Sequence, residues 1–170
     1  TNAVPTIINT LISPTLQPAF TQVVSSPISP TLTSAPEKLE FVMVFVPVNW
    51  QSSQSAFETV AQSQADTFVR ESNLGLYFTP KVIILQDGLQ NVSLSNEILI
   101  YDILEFGLQE QAGDRYIGLT DGDLQLEGNS DIVGWTSGGQ AVIAESSDTY
   151  VVAHELGHTF GLCDEYSFSD

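Results

Sequence analysis

Basic residues are almost missing from this sequence. Lys38, Arg70, Lys81 and Arg115 are the only four cations among 170 residues, against 21 acids, for a net charge of −17. A phosphate backbone is gripped by clustered Lys and Arg, and four scattered cations form no cluster, so nucleic acid is excluded as a partner. An anionic membrane surface is excluded on the same ground. Long apolar runs are missing too. The longest, Phe41 to Val48, is strand-sized and far short of the ~20 residues of a membrane-spanning helix, which excludes insertion. The single cysteine, Cys163, cannot form an internal disulfide and leaves the compartment open. Histidine is equally scarce: there are two, His154 and His158.

What is present is the composition of a folded domain. Apolar residues make up 42% and charged residues 15%, which suits a core rather than a disordered acidic tail. The length is that of one domain or slightly more. The acids are interspersed, as on a solvated acidic surface; a salt-adapted or calcium-containing environment is the alternative.

Residues 1–39 differ from the rest. Pro5, Pro14, Pro18, Pro27, Pro30 and Pro36 are six of the eight prolines, and no charge precedes Glu37. Ile-Ser-Pro-Thr-Leu occurs twice, at Ile12–Leu16 and Ile28–Leu32. Such a segment favours extended backbone and reads as a linker or stalk. Ile7, Ile8, Leu11, Phe20, Val23 and Val24 keep open a segment that packs, or a remnant pro-segment. Thr1–Asn2 shows no basic signal-peptide start, so the chain is expected to begin after processing or to be cut from a longer protein. A secreted or cell-surface location is expected; the sequon Asn91-Val92-Ser93 adds little to it.

From Glu40 the pattern is regular. The run Phe41–Val48 predicts a strand buried on both faces. Ser55 with Glu58 fits a capping box for a helix carrying Phe57, Val60, Ala61, Ala65, Phe68 and Val69, ended by Asn73 and Gly75. Val82–Leu85 predicts a second strand. Leu94, Ile98, Tyr101, Leu104 and Leu108 mark a second helix, stopped near Gly113. Tyr116–Leu119, the short Ile132–Thr136 and Ala141–Ala144 complete five strands, and a last helix spans about Asp148 to Gly161, with Asp148 and Thr149 as caps. The alternation predicts an α/β domain with a mostly parallel twisted five-stranded sheet.

The last helix contains His154-Glu155-Leu156-Gly157-His158. Residues four apart sit only about 40° apart round a helix, so the two imidazoles can close on one tetrahedral Zn²⁺. Glu155 lies too far round to be an obvious ligand but near enough to reach a water on the metal, the place of a general base. Val152, Ala153, Leu156 and Phe160 fall about 160–260° from His154, so that side packs on the sheet. Two exposed histidines on an ordinary helix would leave unexplained why both histidines of the domain stand here.

The full string, His154-Glu155-Leu-Gly-His158-Thr-Phe-Gly161-Leu-Cys-Asp164, resembles the extended zinc motif of the metzincin clan of metallopeptidases. In that clan the third ligand is His or, as in the snapalysins, Asp. The tail Asp164-Glu165-Tyr166 is also similar to secreted IgA-peptidase-like enzymes. The resemblance implies His154, His158 and Asp164 as the metal ligands, Glu155 as the general base, and a metzincin-like upper (N-terminal) subdomain. It also implies that Gly134-Trp135-Thr136-Ser137-Gly138 is an edge strand that pairs with extended substrate; a glycine-rich turn with one packed Trp is the plainer reading. Gly161 suits a left-handed residue turning the chain out of the helix. Metzincins carry a methionine turn downstream of the third ligand, whereas here six residues follow Asp164 and the sole methionine is Met43. Residues 40–170 are therefore expected to be the N-terminal part of a catalytic domain whose lower subdomain is absent.

Other residues have plain readings beside functional ones. Cys163 is a soft ligand or a free thiol. Tyr166 is a candidate oxyanion donor. Asp121, Asp123, Glu127 and Asp131 are a Ca²⁺ site or a solvated loop. The sequence thus points to a zinc endopeptidase acting on protein or peptide. The alternatives are a surface binding or adhesion domain keeping a structural zinc, and a gluzincin-type peptidase, against which Gly161 and Asp164 count.

Overall fold

The computed structural model describes residues 37–95, 98–125, 132–137 and 139–162. Most of the expected 1–39 stalk therefore lies outside the described residues, as do Glu127, Asp131, Gly138, Cys163, Asp164 and Tyr166.

The order of elements is β1 (Leu39–Pro47), α1 (Gln54–Ser72), β2 (Phe78–Ile84), α2 (Leu99–Glu110), β3 (Arg115–Thr120), β4 (Gly134–Thr136), β5 (Ala141–Glu145) and α3 (Val151–Thr159). The strands form one sheet in the order β2-β1-β3-β5-β4. β1 runs parallel to β2 and β3, and β3 parallel to β5. Only β4 is antiparallel, pairing Trp135 with Ile143 at the edge. The expected mostly parallel α/β sheet of five strands is what the chain forms.

The unbroken apolar run of β1 follows from its place inside the sheet. Phe41, Met43 and Phe45 face one way, into a core shared with Phe57, Ala61, Ala65 and Phe68 of α1 and Val151, Val152 and Leu156 of α3. Val44 and Val46 face the other way, against Leu99, Ile100 and Ile103 of α2. Side chains alternate along a strand, so a strand covered on both faces must be apolar at every position. β2 reaches further than expected, over Phe78–Ile84, and contains Pro80. It is an edge strand, where a missing N–H is tolerated.

The helix starts depart from expectation for local reasons. α1 is capped by Ser53, whose hydroxyl accepts the Ala56 N–H at 3.2 Å, not by a Ser55/Glu58 box. Ser55 bonds the Ser53 hydroxyl at 3.0 Å instead, and Glu58 accepts from Gln86 at 3.2 Å. Its end is as expected, with Asn73 left-handed at φ 54°. α2 begins at Leu99 rather than Leu94. Ser93 turns the chain first, its hydroxyl accepting the Ser95 N–H at 3.3 Å, a local bond that competes with helix. α3 begins at Val151 because the Asp148 carboxylate accepts the Tyr150 N–H at 2.8 Å, holding residues 148–150 in a turn. Neither Asp148 nor Thr149 is the N-cap, which is Tyr150.

Candidate metal centre

α3 lies against β4 and β5 with Val152 and Leu156 fully buried. Gln64 of α1, itself fully buried, donates to the Asp148 carbonyl at 2.6 Å and ties the approach to α3 to the first helix. Burial of one side fixes the helix rotation and turns the other side outward. His154 is exposed and His158 half-buried on that outer side, as the helical spacing predicts.

The two imidazoles converge. Their Nε2 atoms stand 3.1 Å apart and the rings are nearly perpendicular at 88°. Two nitrogens at about 2.0–2.1 Å from one tetrahedral ion are separated by about 3.3 Å, so the pair is close to the spacing that zinc needs. His158 is fixed from behind: Nδ1 meets the Leu162 carbonyl at 2.8 Å. A carbonyl only accepts, so the proton sits on Nδ1 and the Nε2 lone pair is turned toward His154. Such a partner behind a ligand sets tautomer and ring orientation. The donor chemistry and the nitrogen spacing both fit a zinc ion. Among the described residues no third His, Cys, Asp or Glu joins the pair; the third expected ligand, Asp164, lies outside them.

Glu155 is placed differently from the histidines. It is buried, with 8% of its surface exposed, and its side chain lies against β4. A Cβ on Gly134 would stand 2.9 Å from Glu155 Cγ and 3.0 Å from its Oε1. The stretch Gly134–Thr136 is thus a true edge strand, with Trp135 packed toward α2 and Gly134 toward α3.

The exit from α3 carries the Leu162 carbonyl to His158. Gly161 has φ +82°, its N–H donates to the His158 carbonyl at 2.9 Å, and the Leu162 N–H donates to the Gly157 carbonyl at 3.2 Å. This is the Schellman pattern, which satisfies the last helical carbonyls through a left-handed residue. The expected role of Gly161 is therefore what the backbone shows.

Arg115 also holds this end of α3, and sequence reasoning missed it. Its guanidinium donates to Thr159 Oγ1 at 2.8 Å, to the Thr159 carbonyl at 3.4 Å and to the Asp114 carbonyl at 2.7 Å. It also lies over the Phe160 ring at 4.6 Å. A cation at a helix C-terminus is favoured by the exposed carbonyls. Burial pushes the Arg115 pKa down from its ordinary value, while Asp114 opposes that shift. The signal in the sequence was a cation opening an otherwise uncharged strand. Phe160, expected on the packed side, is 49% exposed yet rests on Phe41 and Phe68 at 5.8 and 6.3 Å between ring centres.

Of the acidic loop, Asp121 is engaged by backbone. Its carboxylate accepts the Gln51 N–H at 3.1 Å and the Ser52 N–H at 2.9 Å. Burial alone would raise its pKa, but these donors outweigh burial and hold it below the usual range. Asp121 thus serves as a structural tie between the ends of β1 and β3. Among the described residues no acidic cluster forms a cation site, and Glu127 and Asp131 lie outside them.

No family model and no curated protein sequence matches the chain. Among solved structures it is similar to an archaemetzincin from Methanopyrus kandleri, at 20% identity, covering 76% of this chain and 79% of that chain with a TM-score of 0.48. At that TM-score the likeness bears on neither the site nor its chemistry.

Proposed function

We propose that the protein is a zinc-dependent endopeptidase, with His154, His158 and Asp164 as metal ligands and Glu155 as general base. The observation that carries the reading is the convergence of two imidazole nitrogens at 3.1 Å on the open side of α3, with a buried carboxylate one residue along. A structural metal site has no need of that carboxylate. The motif places Asp164 three residues beyond the Gly161 turn, and its ligand role follows from the metzincin pattern of the string.

Zinc, when bound, supplies Lewis acidity that polarises a peptide carbonyl and acidifies water. The protein's own residues do the rest. Nδ1 of His158 stays protonated against the Leu162 carbonyl and keeps the ring aimed. The Glu155 carboxylate takes the proton of the attacking water and delivers it to the departing amine nitrogen, a general-base and then general-acid step. β4 is the edge of the sheet beside the site, and an extended peptide adding to that edge presents its backbone there. The substrate is protein or peptide. The Pro/Ser/Thr-rich residues 1–39 support a secreted or cell-surface location.

Glu155→Gln tests the reading. It keeps shape and removes the basic oxygen, so zinc content and folding stay unchanged while peptide hydrolysis falls by about 10²–10⁴. Full hydrolysis with full metal would contradict the mechanism. Stable zinc in an unaltered protein that hydrolyses nothing would give the site to a binding domain with a structural metal.

A further inference from the structure

We propose that Gly134 is a positioning residue for Glu155: the edge strand is a glycine there so that its backbone forms the seat of the carboxylate. The proposal deepens the peptidase reading and rests on it for its kinetic consequence. Gly134 pairs with Ala144, and its neighbour Trp135 occupies the α2 side of the sheet. Alternation turns position 134 toward α3. A Cβ there would stand 2.4 Å from Val151 Cγ1, 2.9 Å from Glu155 Cγ and 3.0 Å from Glu155 Oε1. The carboxylate therefore rests on strand backbone, in the volume a side chain would fill.

Two neighbours would have to yield to a methyl group at 134. Val151 is β-branched and stiff at χ1, and it is rooted in the first turn of α3. Glu155 has three rotatable bonds, and its carboxylate is the softer obstacle. A methyl at 134 therefore swings Glu155 away, and the contact with Val151 is a second, separable strain. Misplacing a reacting group by about 1 Å costs on the order of 10²-fold in rate. The same contact joins the base to the strand expected to pair with substrate, so a displacement of β4 reaches the carboxylate directly.

The test is a set of variants of the zinc-loaded protein read by kinetics, zinc stoichiometry and thermal midpoint. Gly134→Ala should lower kcat by roughly 10²-fold, with KM within about twofold and zinc retained. Adding Val151→Ala relieves the 2.4 Å clash; it should recover part of the lost thermal midpoint but not kcat. In a Glu155→Asp background, whose side chain is one methylene shorter, Gly134→Ala should cost less in thermal midpoint than in the unaltered protein. An equal thermal cost in both backgrounds, or recovery of kcat by Val151→Ala, would overturn the proposal, because the methyl would then act through Val151 alone. If Gly134→Ala does not fold, the pair with Val151→Ala carries both comparisons. If the unaltered protein hydrolyses nothing, the peptidase reading falls, and the thermal cycle still decides the seat.

Discussion

His158 is held at both ends of its ring, by the approach of His154 at Nε2 and by the Leu162 carbonyl at Nδ1. The two histidines could be read from their spacing, because four residues on a helix is a fixed geometric relation. The carbonyl behind His158 could not, because every residue has one and its position depends on how the chain turns. That turn depends on Gly161, at φ +82°. A left-handed conformation costs a residue with a side chain about 1–2 kcal/mol. Gly161→Ala is therefore expected to lower stability by about that amount and to weaken zinc binding, since the Leu162 carbonyl shifts with the turn. Chemical denaturation with and without zinc, and a zinc titration, check both. Unchanged zinc affinity would separate the turn from the metal site.

The elements were legible wherever one physical rule decided them. The apolar run of β1 gave a strand covered on both faces, and the 3.6-residue spacing gave α1 and, Phe160 excepted, the packed side of α3. The helix starts were less legible, because each depends on a single side-chain hydrogen bond. Ser53 and Ser55 offer the same hydroxyl, and only the extended backbone at Ser53 decides between them. Ser53→Ala should cost α1 about 1 kcal/mol, whereas Ser55→Ala should cost less; a urea series distinguishes the two. At the far end of α3, Arg115 joins Thr159 and Phe160 to the start of β3. Arg115→Ala should destabilise the fold by about 1.5–3 kcal/mol, the range for hydrogen bonds to a charged group. Arg115→Lys should recover only part, because an ammonium cannot both fork onto Thr159 and lie flat on Phe160. Equal stability of the Lys variant and the unaltered protein would show that charge alone suffices there.

At the scale of the whole molecule, 21 acids against four bases make the response to acid informative. Asp121 ties the end of β1 to the end of β3, and its backbone donors hold its pKa below the usual range. A group whose folded pKa is depressed contributes stability above the ordinary carboxylate value of about 3.9 and loses it as pH falls through the folded value. Asp121→Asn should therefore lower the thermal midpoint near neutral pH, and the gap to the unaltered protein should close as the pH falls below the ordinary carboxylate value. A gap that stays constant from pH 7 to pH 2 would contradict the tie. Charge balance alone showed that the acids had to be solvated or engaged; which one was engaged by backbone depended on the meeting of two loops, 70 residues apart for Asp121 and Gln51.

The proposed site is centred on two imidazoles of α3 closing on one zinc ion. X-ray absorption at the zinc edge, on protein loaded with one equivalent of metal, measures that directly. The prediction is two imidazole nitrogens at about 2.0–2.1 Å with the remaining ligands oxygen, and one carboxylate oxygen fewer after Asp164→Ala. A sulfur at about 2.3 Å would assign the third position to Cys163, and a zinc with one imidazole or none would contradict the site itself.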